Sequence, residues 1–298
     1  MKHLRKYVEN PAMIPRRIRW KWDRMRGVRG RLTVPTWNGT LTFDRADALI
    51  AKGLYVRRSY ERDVIEAAID ALEREGWKEA HRNVVLDVGA NLGMISIALV
   101  RHRFFERAVA VEPAIETFEL LERNIAQNGL TDRIDPHCIG LSDTSGTLRM
   151  SIDLRNRGAN RMMRDDETVE ADHEIVHVPV TTFDEFVTQG ACDIDRLGLI
   201  WIDVEGHEAS FFRGASRLED APVPVVMEFS PRFIRGSGAG CKDYLSILQS
   251  RYETFSDLRA APRDRRCVRE LNSLFEHYDR NDRVDATDLL LFPKWEAR

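Results

Sequence analysis

The 298-residue sequence has few of the features that mark secreted, membrane-spanning or metal-binding chains. Its four cysteines are far apart and form no C-x-x-C pair, which argues against a zinc ribbon and indicates reduced thiols. No apolar run approaches the roughly 20 residues that a membrane-spanning helix requires. Positive charge at the amino terminus is not followed by an apolar segment, so a secretory signal is not expected.

Positive charge is concentrated in a basic arm at the start of the sequence. Residues 1–31 carry eleven Lys and Arg against only Glu9 and Asp23, although the net charge of the whole chain is −3. Pro11 and Pro15 are expected to interrupt any amphipathic helix there. The arm is interpreted as a solvated tail, as a helix packed on its own acidic domain, or as a segment that binds anionic lipid, a phosphorylated glycan or nucleic acid. The sequence therefore predicts a cytoplasmic protein, peripheral at a membrane if the arm binds lipid.

Apolar, β-branched runs alternate with helical patterns over most of the chain. This alternation predicts an α/β fold with a mostly parallel, doubly wound sheet. The predicted strands lie near 84–88, 108–112, 134–140, 198–203, 223–229 and 287–292. The predicted helices lie near 93–103, 114–128, 208–218 and 241–250.

Residues 32–80 precede the predicted sheet domain and form a segment of their own. Two β-prone runs on either side of Asn38-Gly39 predict a small hairpin with a type I′ turn. Apolar residues at helical spacing then predict one amphipathic helix that ends at Gly76 and packs beside the sheet.

The sheet domain itself is predicted over residues 81–298, with an insertion at 147–177. The insertion lies between the third and fourth sheet strands and is too long for a simple connection. It is interpreted either as a lid over a substrate or as a solvated surface hairpin. It contains Arg155, Arg157, Arg161 and Arg164, which are followed by an acidic run.

The most informative stretch is V-V-L-D-V-G-A-N-L-G at residues 84–93, where a buried strand leads into a helix through a glycine loop. Glycines at 89 and 93 leave room for a ligand to approach the backbone. The strand end and the helix amino terminus form the usual ligand crevice of an α/β sheet. Asp87 can meet a cationic ligand there or hold the loop amides. Glu112 ends the next strand, where a ribose diol is commonly bound.

This glycine loop differs from the dinucleotide fingerprint. G-x-G-x-x-G would require two more glycines, and the sequence has no Tyr-x-x-x-Lys pair. Both observations disfavour a nicotinamide-dependent oxidoreductase. A nucleoside ligand without a pyrophosphate fits the loop better.

L-D-V-G-A-N-L-G, followed by V-E-P, resembles the class I S-adenosylmethionine-dependent methyltransferases. Further segments then follow in the order typical of the FkbM family, whose members are mostly O-methyltransferases of natural products and glycans. They are N-I-A-Q-N-G-L at 124–130, L-S-D at 141–143, V-P-V-T-T-F-D at 178–184 and I-D-V-E-G-H-E at 202–208. The resemblance implies a Rossmann-like fold with an antiparallel final strand.

The resemblance also implies a cofactor and a class of acceptor. The implied cofactor is S-adenosyl-L-methionine, and the implied acceptor is a hydroxyl on a sugar, glycolipid or secondary metabolite. No Asp/Asn-Pro-Pro-aromatic tetrad, the motif that holds a flipped base amine, follows the fourth strand, which argues against methylation of nucleic acid. The basic arm nevertheless keeps an RNA methyltransferase as an alternative. A non-catalytic binding module on the same fold is another. The implied cofactor contacts are Asp87, Gly89, Asn91, Gly93, Glu112 and Asp143.

Candidate catalytic residues follow the fourth and fifth sheet strands. Methyl transfer requires the protein to orient a nucleophile and often to remove its proton. Asp203, Glu205 and His207 alternate after one strand, and Glu228 closes the next, so each is a candidate base. In the alternative interpretation, the first two acids bind loop amides and His207 begins a helix. Asp203 and Glu228 lack a recognisable third acid, so no metal is expected.

Overall fold

The structure, a computed structural model, describes residues 11–77, 83–153, 158, 160–163, 167, 173–236, 241–279 and 286–294. The helices are α1 Met13–Met25, α2 Ile50–Arg57, α3 Arg62–Arg74, α4 Met94–Arg101, α5 Ile115–Gln127, α6 Phe183–Thr188, α7 Glu208–Arg213, α8 Pro231–Gly236, α9 Cys241–Arg251 and α10 Leu271–Asp279. The strands are β1 Arg31–Pro35, β2 Thr40–Asp44, β3 Val84–Val88, β4 Arg107–Val111, β5 Ile134–His137, β6 Gly140–Ser142, β7 Gly146–Asp153, β8 Arg161–Met162, β9 His173–Thr182, β10 Leu197–Ile202, β11 Val225–Phe229, β12 Tyr252–Asp257, β13 Ala261–Cys267 and β14 Thr287–Pro293.

An eight-stranded sheet forms the centre of the fold, in the order β5-β4-β3-β10-β11-β14-β12-β13. The strands from β5 to β11 in this order are parallel neighbours. Strand β14 is antiparallel to both β11 and β12. The predicted α/β fold, Rossmann-like and mostly parallel with an antiparallel final strand, is therefore confirmed.

Helices cover both faces of this sheet, because parallel strands are joined by crossover helices. In β3, Val85 packs on the face that carries α3, α4 and α5, whereas Val84 and Leu86 pack on the face with α6, α7, α9 and α10. Strands buried on both sides read as continuous apolar runs. Asp87 interrupts such a run, and it lies at the carboxyl edge of the sheet.

The insertion at 147–177 contributes to a second, four-stranded sheet. Strands β7 and β9 pair as an antiparallel hairpin, β8 extends the sheet beyond β7, and β6 runs parallel to β9. Met150 and Met162 from this sheet line the cleft described below. The insertion is thus a hairpin that also forms part of a ligand-sized cleft. Arg161 lies within the described residues; Arg155, Arg157 and Arg164 lie outside them.

The hairpin β1–β2 forms as predicted, but its turn differs from the prediction. Reciprocal backbone hydrogen bonds join Thr36 and Gly39, so Asn38 occupies the turn itself. A type I′ turn needs positive φ at both central residues, and Asn38 does not have it. Its side chain is instead buried and forms hydrogen bonds with the backbone of Tyr60 and Met94. The Asn-Gly pair therefore anchors the hairpin to the sheet domain.

The basic arm contains a helix, so the prediction that its prolines prevent one is wrong. Pro15 lies in the first turn of α1, where backbone amides have no partner within the helix and proline is tolerated. Trp20 is buried and packs on Tyr55 of α2, with ring centroids 5.3 Å apart. This contact attaches α1 to the rest of the protein. Within the described residues, no helix is both long and apolar enough to cross a membrane.

Candidate functional site

A cleft opens at the carboxyl edge of the sheet, where β3, β4, β10 and β11 end. Its empty space, including the open mouth, is about 1070 Å³, a size suited to a small-molecule ligand. Most of the predicted site residues meet in this ligand cleft, whereas Gly93 and Asp143 lie outside its lining. The predicted residues that line it are Asp87, Gly89, Asn91, Glu112, Asp203, Glu205, His207 and Glu228.

Asp87 holds the start of the helix that follows the glycine loop. Its side chain is buried and accepts hydrogen bonds from the Ser96 amide, at 3.0 Å, and from the Ser96 hydroxyl. Ser96 lies in the first turn of α4, whose amides have no intrahelical partner. Burial raises the pKa of Asp87 to about 6. Asp87 thus holds a backbone amide, the second of the two roles considered from the sequence. It also lines the ligand cleft.

Glu112 holds the glycine loop from its other side. One carboxylate oxygen accepts the amide of Asn91 at 3.0 Å, and the other accepts the amide of Ala114 at 2.9 Å. Each carboxylate oxygen can accept a further hydrogen bond, so Glu112 can still receive two hydroxyls. Burial raises its pKa to about 7. A fixed acceptor at the end of β4 fits the diol of a ribose.

The two glycines of the loop are required by contacts within the protein. Gly89 has φ +83°, and a Cβ there would lie 2.0 Å from the backbone oxygen of Asp203. Gly93 has φ +81°, and its Cβ would lie 2.7 Å from the side chain of Leu121. The sequence led us to expect that a ligand would approach the backbone at these two glycines. In the structure, the atoms that approach belong to the segment after β10 and to α5.

Three carboxylates converge on the opposite side of the ligand cleft and are called here the acid cluster. They belong to Asp203 and Glu205, which follow β10, and to Glu228 in β11. One oxygen from each lies within 4.8 Å of the others. Among the described residues, no hydrogen bond or ion pair reaches these three side chains, and Oε2 of Glu205 is buried without a partner.

The acid cluster is strained electrostatically. Burial, followed by repulsion from neighbouring acids, raises the pKa of both Glu205 and Glu228 to about 9. The same causes raise the pKa of Asp203 well above its ordinary value. At neutral pH the cluster therefore retains protons, and a positive charge bound in the cleft would favour their release.

No metal was expected from the sequence because Asp203 and Glu228 lacked a third acid, and the structure provides one. Glu205 supplies the third carboxylate, which the sequence pattern alone did not combine with Asp203 and Glu228. Carboxylate oxygens are ligands that Mg²⁺ takes. The acid cluster therefore comprises the residues that could hold a divalent cation, and the same residues could face the cationic part of a cofactor.

His207 binds a serine and is a poor proton acceptor. Its Nε2 lies 2.9 Å from Oγ of Ser142, and that hydroxyl also donates to Asp143 at 3.2 Å. Burial lowers the pKa of His207 to about 4. Once deprotonated, the carboxylates of the acid cluster are stronger bases than this imidazole. Asp143 is exposed and lines an adjacent cleft with His207, apart from the other predicted cofactor residues.

Several residues of the ligand cleft were not identified from the sequence, among them Tyr60, Glu61 and Asp288. Arg259 forms ion pairs with both Glu61 and Asp288. Asp288 interrupts the apolar run T-D-L-L-L-F, and a charge in a buried strand is costly unless paired. That signal also marked Asp87 and could have identified Asp288. Tyr60 and Glu61 precede α3 and give no such signal.

Comparison with known proteins agrees with the motif order. Residues 87–264, more than half of the chain, match the methyltransferase FkbM domain. The chain belongs to the FkbM methyltransferase family. The family predicted from the order of motifs is thereby confirmed.

Relatives of this FkbM chain include two fungal methyltransferases. Methyltransferase 1 of Beauveria bassiana (strain ARSEF 2860) is 26% identical over 144 residues, which are 44% of this chain and 57% of that protein. Methyltransferase sdnD of Sordaria araneosa is 24% identical over 154 residues, with 44% and 59% covered. The chain thus spans less than two thirds of the length of these relatives.

Among solved structures, P. horikoshii TYW2 in complex with MeSAdo is 13% identical to this chain, with a TM-score of 0.37. The match covers 89% of this chain and 72% of that one.

Proposed function

We propose that this FkbM methyltransferase transfers a methyl group from S-adenosyl-L-methionine to a hydroxyl of a sugar, glycolipid or secondary metabolite. The observation that supports O-methylation is the acid cluster, because three carboxylates with no counterion among the described residues face the same cleft as Glu112. Carboxylates are suited to orient a hydroxyl and to accept its proton.

The residues on the β3 and β4 side fit the cofactor. Glu112 is fixed by two backbone amides and keeps acceptor capacity for the ribose hydroxyls. Asp87 fixes the start of α4 and thereby the loop from Gly89 to Asn91. When bound, the cofactor supplies an electrophilic methyl group on a sulfonium. The protein therefore has to position the acceptor and manage one proton.

The acid cluster is proposed to bind the acceptor hydroxyl and to take the proton that it loses. Glu205 is the preferred acceptor of this proton, because its buried Oε2 has no partner in the part of the chain that the structure describes. Asp203 and Glu228 then orient the hydroxyl and share the charge. His207 is assigned a structural role through Ser142, since its pKa of about 4 leaves it weakly basic.

Calorimetric titration with S-adenosylhomocysteine, with NADH as the control ligand, tests the cofactor assignment. We expect micromolar binding of S-adenosylhomocysteine alone and at least a tenfold loss in Glu112→Gln, which keeps the shape of the side chain but not its charge. Binding of NADH, or no binding by folded protein, would contradict the proposal.

Methyl transfer is then tested on a panel of glycosides and hydroxylated natural products with a labelled methyl donor. We expect a product that survives mild alkali, as a methyl ether does and a methyl ester does not. Glu205→Gln should bind S-adenosylhomocysteine like the wild type but lose turnover. Full turnover in Glu205→Gln would remove this residue from the mechanism, and full turnover in variants of all three acids would disprove the assignment of the cluster.

A further inference from the structure

Helix α1 turns a stripe of large apolar side chains away from the protein. Ile14, Ile18, Trp22 and Met25 are 49%, 55%, 56% and 80% exposed. At about 100° per residue, these four positions fall within an arc of about 80°. The helix packs on the protein through another face, which carries the buried Trp20. A helix of a soluble domain normally turns such a stripe towards the core.

Basic side chains border this apolar stripe on both sides. Between residues 13 and 29, seven Lys and Arg stand against one acid, Asp23. Asp23 is shared between Arg19 and Arg45, and the sequence has no other acid between residues 13 and 29. Five exposed cations follow the stripe, with Arg17, Lys21 and Arg24 along one edge and Arg19 and Arg26 along the other.

We propose that α1 binds an anionic membrane surface. Helices that lie in the bilayer interface combine an apolar face, often with tryptophan, and flanking Lys or Arg. The apolar stripe would enter the boundary between headgroups and acyl chains, while the cations on its edges face anionic headgroups. Each Lys or Arg near such a surface strengthens binding about fivefold at moderate ionic strength. The face opposite the lipid remains fixed to α2 through Trp20 and Tyr55.

A bilayer fits the stripe better than other occupants do. Two copies joined through this face would bring the same cations together across a two-fold axis, and like charges oppose association. Nucleic acid would attract the cations, but its phosphates offer no apolar phase for Ile14, Ile18 and Met25. A bilayer with anionic lipid accepts both the charge and the apolar area.

The position of α1 gives this binding a consequence for the site. Met13, the first residue of α1, lines a cleft together with Tyr60, Glu61 and Glu205, which also line the ligand cleft. A membrane bound to α1 therefore lies near the entrance to the site. If hydroxyl methylation is the reaction, a glycolipid in that membrane is the favoured acceptor. This last step rests on the proposed function, whereas membrane binding does not.

Vesicle flotation with the full chain tests membrane binding without reference to catalysis. We expect binding to vesicles of phosphatidylcholine mixed with phosphatidylglycerol, little binding to phosphatidylcholine alone, and loss of binding as salt rises. Ile18→Ser should lower partitioning about tenfold, since one isoleucine no longer leaves water. Lys21→Glu combined with Arg24→Glu should lower it further. Ile115→Ser is the matched control, because Ile115 is 60% exposed on α5, and it should bind like the wild type.

Several outcomes would overturn the proposal. The first is that the wild type does not bind the anionic vesicles. The second is that Ile18→Ser binds them as well as the wild type does, and the third is that Ile115→Ser loses as much binding as Ile18→Ser. A dimer in vesicle-free gel filtration that Ile18→Ser dissociates would assign the stripe to a second copy instead. A further outcome is that the wild type binds RNA but no vesicles. If Ile18→Ser still binds that RNA and the double charge reversal does not, the cations belong to a nucleic-acid site instead. Unchanged thermal unfolding of Ile18→Ser shows that the variant is folded.

Discussion

Glu228 and Asp288 lie directly opposite each other in the antiparallel pairing of β11 and β14. Asp288 forms an ion pair with Arg259, and Arg259 also holds Glu61. Glu228 has no such partner among the described residues and belongs to the acid cluster instead. The two adjacent acids therefore differ in their partners. Asp288 is paired with a cation of the protein, whereas Glu228 can interact with a ligand.

Arg259→Met should therefore destabilise the protein. It leaves Glu61 and Asp288 without their cation beside three further acids. We expect a loss of about 2 kcal/mol in the free energy of unfolding, below the 3–5 kcal/mol typical of a fully buried pair because Arg259 is 41% exposed. Chemical denaturation measures it. Arg266→Met, which removes an ion pair with the exposed Glu270, is the control and should cost under about 1 kcal/mol. Equal losses in the two variants would contradict this account.

Glu228→Gln should stabilise the protein increasingly as pH rises. The pKa of Glu228 is about 9 when folded, above its ordinary value, so the wild type loses stability as pH rises from about 5 through 9. Glutamine does not titrate and avoids this loss. The melting temperature of the variant should exceed that of the wild type at pH 8 by about 2–4 °C per kcal/mol gained, with a smaller difference at pH 5. Glu122→Gln on the exposed side of α5 should show no such trend.

Gly89→Ala should be strongly destabilising, since its Cβ would lie 2.0 Å from the Asp203 oxygen. Gly190→Ala is a matched control, because Gly190 has a similar φ of +79° but no atom within 4 Å of the position that a Cβ would take. The control measures the backbone penalty alone, about 1–2 kcal/mol. We expect Gly89→Ala to exceed that cost clearly, as measured by thermal unfolding. Similar costs would show that the loop can move away from Asp203.

The rate of methyl transfer should rise with pH towards about 9. A base acts in its deprotonated form, and Glu205 and Glu228 lose their protons only at raised pH. His207→Gln should keep this profile and lose less than about tenfold in kcat. Glu205→Gln should lose the pH dependence and about 10²–10⁴ in kcat, the usual contribution of a general base. A profile that rises near pH 6.5 and disappears in His207→Gln would make the histidine the base.

The sequence predicted the parts of this fold and site that depend on local pattern. Apolar strands, the glycine loop, Asp87 and Glu112 all follow from short-range periodicity and from the position of a charge at a strand end. Strand β13, A-P-R-D-R-R-C, was missed because an edge strand exposed to solvent lacks the apolar pattern of a buried one.

Residues that meet only through tertiary contacts could not be predicted in the same way. Tyr60 and Glu61 reach the ligand cleft from a segment before the sheet, and no local pattern encodes that approach. The convergence of Glu205 with Glu228 depends on the turn after β10, where Glu205 adopts a φ of +49°. The helix in the basic arm was predicted only as one alternative, because proline was weighed without its position in the first turn.

The contact between Gly89 and the backbone of Asp203 divides the site into a fixed half and an adaptable half. The glycine loop packs directly on the segment that carries the acids, so a shift of either part is expected to displace the other. Met150 and Met162 come from the second sheet, whose strands do not pair with those of the central sheet. Substitutions at Met150 or Met162 are therefore expected to change the shape of the cleft while leaving the glycine loop and the acids in place.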